Sequence, residues 1–255
     1  MEPKSINPVA MRVCAWCGPA IMVLFCLGFA VVGHFVPPPS PSDSAEVIAS
    51  WYRDNATTIR IGLLLSMVAV SLVAPWGASL AVWSRRRESD HPVLTYTQLI
   101  CIAGLLVASY LTCLVFAVAA FRPDEVATET TRLFNDFGWF LFLWTWPPIS
   151  VWCLAIALSV FFDESENPPF PRWIAYFNFW IAFLLIPAGL IVFVKDGPFG
   201  FNGVVAFWIP VVVFFGWMLV MTRMVLLAVS AEAQRLRGPS RAAEMDVVHT
   251  TTGQA

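Results

Sequence analysis

An all-α bundle of six membrane helices, with two short interfacial helices on its outer face, is the fold class that the sequence predicts. Three observations carry the prediction. Hydrophobic residues make up 58% of the 255 and charged residues only 13%, well beyond the roughly 45–50% apolar content of a soluble domain. Six long apolar runs recur along the chain, separated by short polar connections. The central run, Gly138 to Phe162, holds 25 residues without a charge, and at ~1.5 Å per helical residue it exceeds the ~30 Å hydrocarbon core of a bilayer.

Residues 1–12 are polar, carry Lys4 and Arg12, and read as a short cytoplasmic segment. The membrane domain follows over 13–230, with spans at 13–36, 61–83, 95–121, 138–162, 173–194 and 204–227. Gly28-Phe29-Ala30 has the small-x-small pattern of a signal-peptide cleavage site, but the first run continues through Val31, Val32 and Phe35, too far for a signal peptide. The Pro and Ser cluster after it ends the helix. Asp43 with Glu46 then reads as a capping box opening a short helix, with Val47, Ile48, Trp51 and Tyr52 on one face at headgroup depth.

The second span ends on Arg85, Arg86 and Arg87, and the third places Gly104, Ala108 and Thr112 at spacing four, a small-residue face for close helix contact. The loop before the fourth span resembles the one before the second. Glu46-Val47 with Arg53 recurs as Glu125-Val126 with Arg132, so a second interfacial helix and two span–helix–span units in tandem are expected. After the sixth span, residues 231–255 are polar and lack aromatics, the composition of a disordered cytoplasmic tail.

Orientation follows from Lys and Arg. With the N-terminus inside, inner segments hold ten of the 15 and outer segments five, Arg53, Arg60, Arg122, Arg132 and Lys195. That bias predicts a multi-pass protein of the cell membrane with both termini in the cytoplasm. The bilayer is then the first partner. A net charge of −2 makes nucleic acid an unsuitable one.

Several chemistries lose support. The six Cys all lie in apolar runs, which argues against an extracellular disulfide framework. Cys14-Ala-Trp-Cys17 has dithiol spacing but opens a membrane helix, where two small apolar residues packing between helices is the simpler reading. His34, His91 and His249 cannot share one membrane depth, so a bis-His haem is not expected, and no cofactor or metal is assigned. No Asp, Glu, Lys or Arg falls at the middle of a span, which weighs against proton relays and ion-coupled carriers. No general acid, base or nucleophile is visible at a shared depth, so no catalytic residue is named.

What recurs instead is proline: Pro75, the pair Pro147 and Pro148, Pro187 and Pro210, each inside a span. Each removes a backbone donor and frees a carbonyl one turn earlier. Trp144, Trp146 and Trp152 surround the double proline, with Tyr110 and Asn178 as polar handles at membrane depth. These residues suggest an aromatic-lined cavity, while Arg60, Asn135 and Asp136 at the outer ends of the second and fourth spans suggest a vestibule. The same residues also read as ordinary helix packing and interfacial caps. The function expected is a binding or transport component for a hydrophobic or amphipathic small molecule such as a lipid, sterol, quinone or hydrocarbon. The alternative is a non-catalytic accessory subunit that meets a membrane protein partner through the small face of the third span.

Overall fold

The chain folds as helices joined by short turns. The computed structural model describes residues 7–88 and 90–252, with side chains as far as 235. Lys4 and the side chains of Arg237, Arg241 and His249 lie outside the described residues.

Helix α1 (Pro8–Phe25) begins earlier than the apolar run because Asn7 caps it, its side chain accepting from the Val9 and Ala10 amides. It continues as a π-helical stretch, Cys26–Val32. Then come α2 (Ala45–Ser71), α3 (Val73–Arg85), α4 (Val93–Ala119), α5 (Thr128–Leu143), α6 (Trp146–Phe161), α7 (Trp173–Leu184) and α8 (Ile209–Thr252). No strand occurs among the described residues. Joined across their bends, these elements make six helices long and apolar enough to cross a membrane: Pro8–Val32, Ala45–Arg85, Val93–Ala119, Thr128–Phe161, Trp173–Val192 and Gly197–Arg235.

The two short interfacial helices expected ahead of the second and fourth spans are not separate elements. Residues 45–60 are the first turns of α2, and residues 128–137 those of α5. No proline interrupts either stretch, and the polar side chains of the first bond along their own helix, Asn55 Nδ2 to the Trp51 carbonyl and Thr58 Oγ1 to the Asn55 carbonyl. The capping residue also differs from expectation. Ser44 caps α2 by accepting from the Val47 amide, while Asp43 closes the preceding turn by accepting from the Ser40 amide. The polar stretch 231–255, expected as a disordered tail, is continuous with α8 as far as Thr252.

The helices break inside the spans instead, at the prolines. Between α2 and α3 the chain leaves the helix at Leu72, three residues before Pro75, whose missing amide would have bonded the Ser71 carbonyl. Between α5 and α6 it breaks at Trp144-Thr145, and Pro147 and Pro148 start the next helix. After α7 a 3₁₀ stretch, Ile186–Val192, carries Pro187, and Pro210 stands where the π-helical Val204–Trp208 passes into α8. Pro19 inside α1 is a further intraspan proline.

Two buried clusters result. Arg85 to Arg87, Asp163 and Glu232 mark one end of the bundle, and the cluster nearer to it is built on Trp76, Trp152 and Trp217, which meet edge to face at 5.1–5.5 Å. The other cluster, toward the opposite end, joins Phe29, Phe35, Phe116, Trp139 and Phe207. There the π-helical stretch lies backbone against backbone on α2: a Cβ added at Gly28 would come 2.7 Å from the Gly62 carbonyl oxygen. Glycine is required at that crossing because no side chain fits between the two backbones.

Candidate functional site

Two cavities lie where the helices break. The first, about 120 Å³, sits between the two clusters and is almost wholly apolar. Its wall includes Val70 and Val73 from either side of the first break, Thr145 and Trp146 from the second, and Pro210 and Val211 from the start of α8. Bent helices cannot close on one another along their full length, which leaves this space between the two clusters.

The second is a lateral groove of about 800 Å³ beside α5. Arg132, Leu133, Asp136, Phe137, Phe140, Leu141 and Trp144 form one wall, and Ile191, Val192, Val194, Lys195 and Phe201 the other. The α5 residues recur at spacing three to four, so they share a face that leans on the 3₁₀ stretch after α7. That stretch rises and turns differently from an α-helix and cannot interdigitate closely with α5. The groove opens sideways, with Leu133 67%, Phe137 51% and Trp144 50% exposed.

Polarity is graded along it. At the mouth Arg132 Nη2 pairs with Glu129 Oε2 at 2.7 Å, and Asn135 Nδ2 donates to Asp136 Oδ1 at 3.3 Å. Both Arg132 and Lys195 act electrostatically on the Asp136 carboxylate. Below the mouth the walls are aliphatic and aromatic down to Trp144.

The residues singled out from sequence are dispersed by the fold. Trp144 closes the deep end of the groove, Asp136 stands at its mouth, and Trp146 faces the central cavity with its indole against Gly189. Pro147 and Pro148 supply the first turn of α6. Trp152 is wholly buried between Trp76 and Trp217, and Asn178 is wholly buried too, accepting from Trp217 Nε1 at 2.8 Å and donating to the Ile174 carbonyl at 2.9 Å. Tyr110 bonds the Ser71 hydroxyl at 3.0 Å beside the first helix break. Arg60 Nε donates to the Ala120 carbonyl at 3.0 Å, placing a cation at the C-terminus of α4. Asn135 Oδ1 accepts from the buried Tyr52 hydroxyl at 3.4 Å.

Arg132, Phe137, Phe140, Leu141 and Lys195 were not among the expected site residues. A signal for the first four does exist: from Arg132 to Trp144 the sequence places charged residues, then large apolar ones, on one helical stripe. The opposing wall has none, because its contribution depends on how the 3₁₀ stretch is bent.

At the arginine-rich end, Arg87 Nε meets Asp163 Oδ2 at 3.0 Å, with side-chain exposures of 7% and 4%. Its guanidinium carbon lies 4.9 Å from the Phe170 ring centre. Burial pushes the guanidinium pKa down to about 10, with Asp163 acting in the other direction. Nearby Glu88 caps α4, its carboxylate accepting from the Leu94 and Thr95 amides at 2.6 and 2.9 Å.

Comparison of the chain with protein-family models, with curated proteins and with solved structures returns no match.

Proposed function

We propose that this chain is a multi-pass membrane protein that binds an amphipathic molecule in the groove beside α5, as the binding or transport component for that molecule. The groove itself carries the reading. From Arg132 to Trp144 it extends about 18 Å at the helical rise of ~1.5 Å per residue, about three-fifths of a ~30 Å hydrocarbon core. A molecule with a polar head at Arg132, Asp136 and Lys195 and an apolar tail toward Trp144 matches its polarity from end to end. Its volume of about 800 Å³ is within the usual range of ligand pockets.

Large apolar side chains stand exposed along several spans, among them Val13, Leu64, Ile100, Trp180 and Val212. A surface of that kind suits lipid and supports insertion in the cell membrane. The Lys and Arg bias supports a cytoplasmic location for both termini, with the groove mouth at the outer interface.

The test is purification in mild detergent followed by native mass spectrometry. Leu141→Trp places an indole inside the groove, and the co-purifying amphipathic molecule is expected to fall at least tenfold while the thermal midpoint stays within a few degrees. Equal retention by the wild type and the variant would refute the groove as the binding site.

A further inference from the structure

The charges at the groove mouth go further than amphipathic character and specify a headgroup. Glu129, Arg132 and Asp136 of α5 stand there with Lys195 from the turn after the 3₁₀ stretch, and Glu46 of α2 acts electrostatically with Arg132. The mouth therefore carries both signs of charge. Their arrangement is uneven. Glu129 is turned toward Arg132 outside the groove wall and neutralises part of its charge. Among the described residues Lys195 has no carboxylate within ion-pair distance and Asp136 has no cation within it, the side-chain hydrogen bond of Asp136 coming from the neutral Asn135 amide. One ammonium and one carboxylate thus line the same opening on opposite walls, acting on each other electrostatically without a direct ion pair, so that each can still take a charged group in contact.

We infer that the occupant is a phospholipid with a zwitterionic phosphate–ammonium headgroup, taken from the outer leaflet, its phosphate held by Lys195 and Arg132 and its ammonium by Asp136. This rests on the groove being the ligand site. A carboxylate or a plain anionic phosphate would satisfy the cations but face Asp136 at the same opening, a like-charge approach that costs affinity. A neutral sterol or hydrocarbon would cover Lys195 and Asp136 while offering neither a charged group in contact, a desolvation cost without compensation. The zwitterion alone complements both walls. Below the headgroup, Phe137, Phe140, Leu141 and Ile191 provide an apolar channel for an acyl chain ending near Trp144.

The experiment is competitive loading of delipidated full-length protein in detergent, read by native mass spectrometry. An ethanolamine phospholipid, an anionic glycerol phospholipid and a fatty acid of matched chain length are supplied in equal amounts. The wild type is expected to retain the ethanolamine lipid over the anionic one by about tenfold, the scale of one charge-assisted hydrogen bond. Asp136→Asn should remove that preference while still binding lipid, and Lys195→Gln should weaken both phospholipids together. Leu141→Trp should lose all three ligands. Preference for the anionic lipid or the fatty acid, or a preference unchanged in Asp136→Asn, overturns the headgroup assignment and leaves the groove standing. Undiminished loading of Leu141→Trp overturns the groove itself. All variants are first matched to the wild type by thermal midpoint and gel-filtration profile, so that a lost ligand is not a lost fold.

Discussion

Asp163→Asn isolates the buried ion pair at the arginine-rich end. In the wild type Asp163 supplies the charge opposite Arg87 at 3.0 Å, with the two side chains only 4% and 7% exposed. The substitution keeps the shape and removes the charge, leaving a guanidinium enclosed against the Phe170 ring. Removing one partner of a buried pair costs about 3–5 kcal/mol, because the remaining charge stays desolvated without compensation. At about 2–4 °C per kcal/mol for a chain of this size, the midpoint should fall by about 6–20 °C. The twelve tryptophans make intrinsic fluorescence in detergent a direct assay. A second variant guards the argument. Replacing both partners, Arg87→Met with Asp163→Leu, removes charge and desolvation cost together and should return the midpoint to within a few degrees of the wild type. If Asp163→Asn melts within 1 °C of the wild type, the pair is hydrated and the reasoning from burial is wrong.

Asn178→Ala should destabilise by about 1–3 kcal/mol, since it leaves the buried Trp217 Nε1 without its acceptor; lipid retention in the groove should not change, and selective loss of ligand without loss of stability would show that Asn178 serves a binding site. Gly62→Val should cost at least about 1–3 kcal/mol by forcing the π-helical stretch off α2, read as a lower melting midpoint; an unchanged midpoint would mean that the two backbones are not in contact.

Particular residues show how far the sequence could be read. Pro75, Pro147-Pro148, Pro187 and Pro210 located the helix breaks, because a missing amide acts on the backbone that carries it and needs no knowledge of neighbours. Pro19 is the exception, since α1 runs unbroken through it from Pro8 to Phe25. The interfacial helices were misread because amphipathic patterning alone cannot say whether a helix stops at the membrane surface or runs on into the span. The small stripe of Gly104, Ala108 and Thr112 shows the same limit. Each four-residue step turns about 40° past a full turn, so Gly104 lies open to the surface while Thr112 is buried.

The site was legible only in part. Asp136 and Trp144 were recognisable as residues worth watching, yet their shared helical face and its partner wall were not put together. Trp152 and Asn178 looked like cavity residues but became core, because Trp76 and Trp217 arrive from distant segments and fill the space beside them.

Local composition and backbone chemistry were enough to give the helical class, the six apolar segments and most of the places where a helix loses its regularity. Which of those irregularities opens a groove and which is packed shut was settled by long-range packing. That outcome depends on side chains far apart in sequence competing for the same volume, and on a 3₁₀ stretch whose geometry does not match the helix it faces.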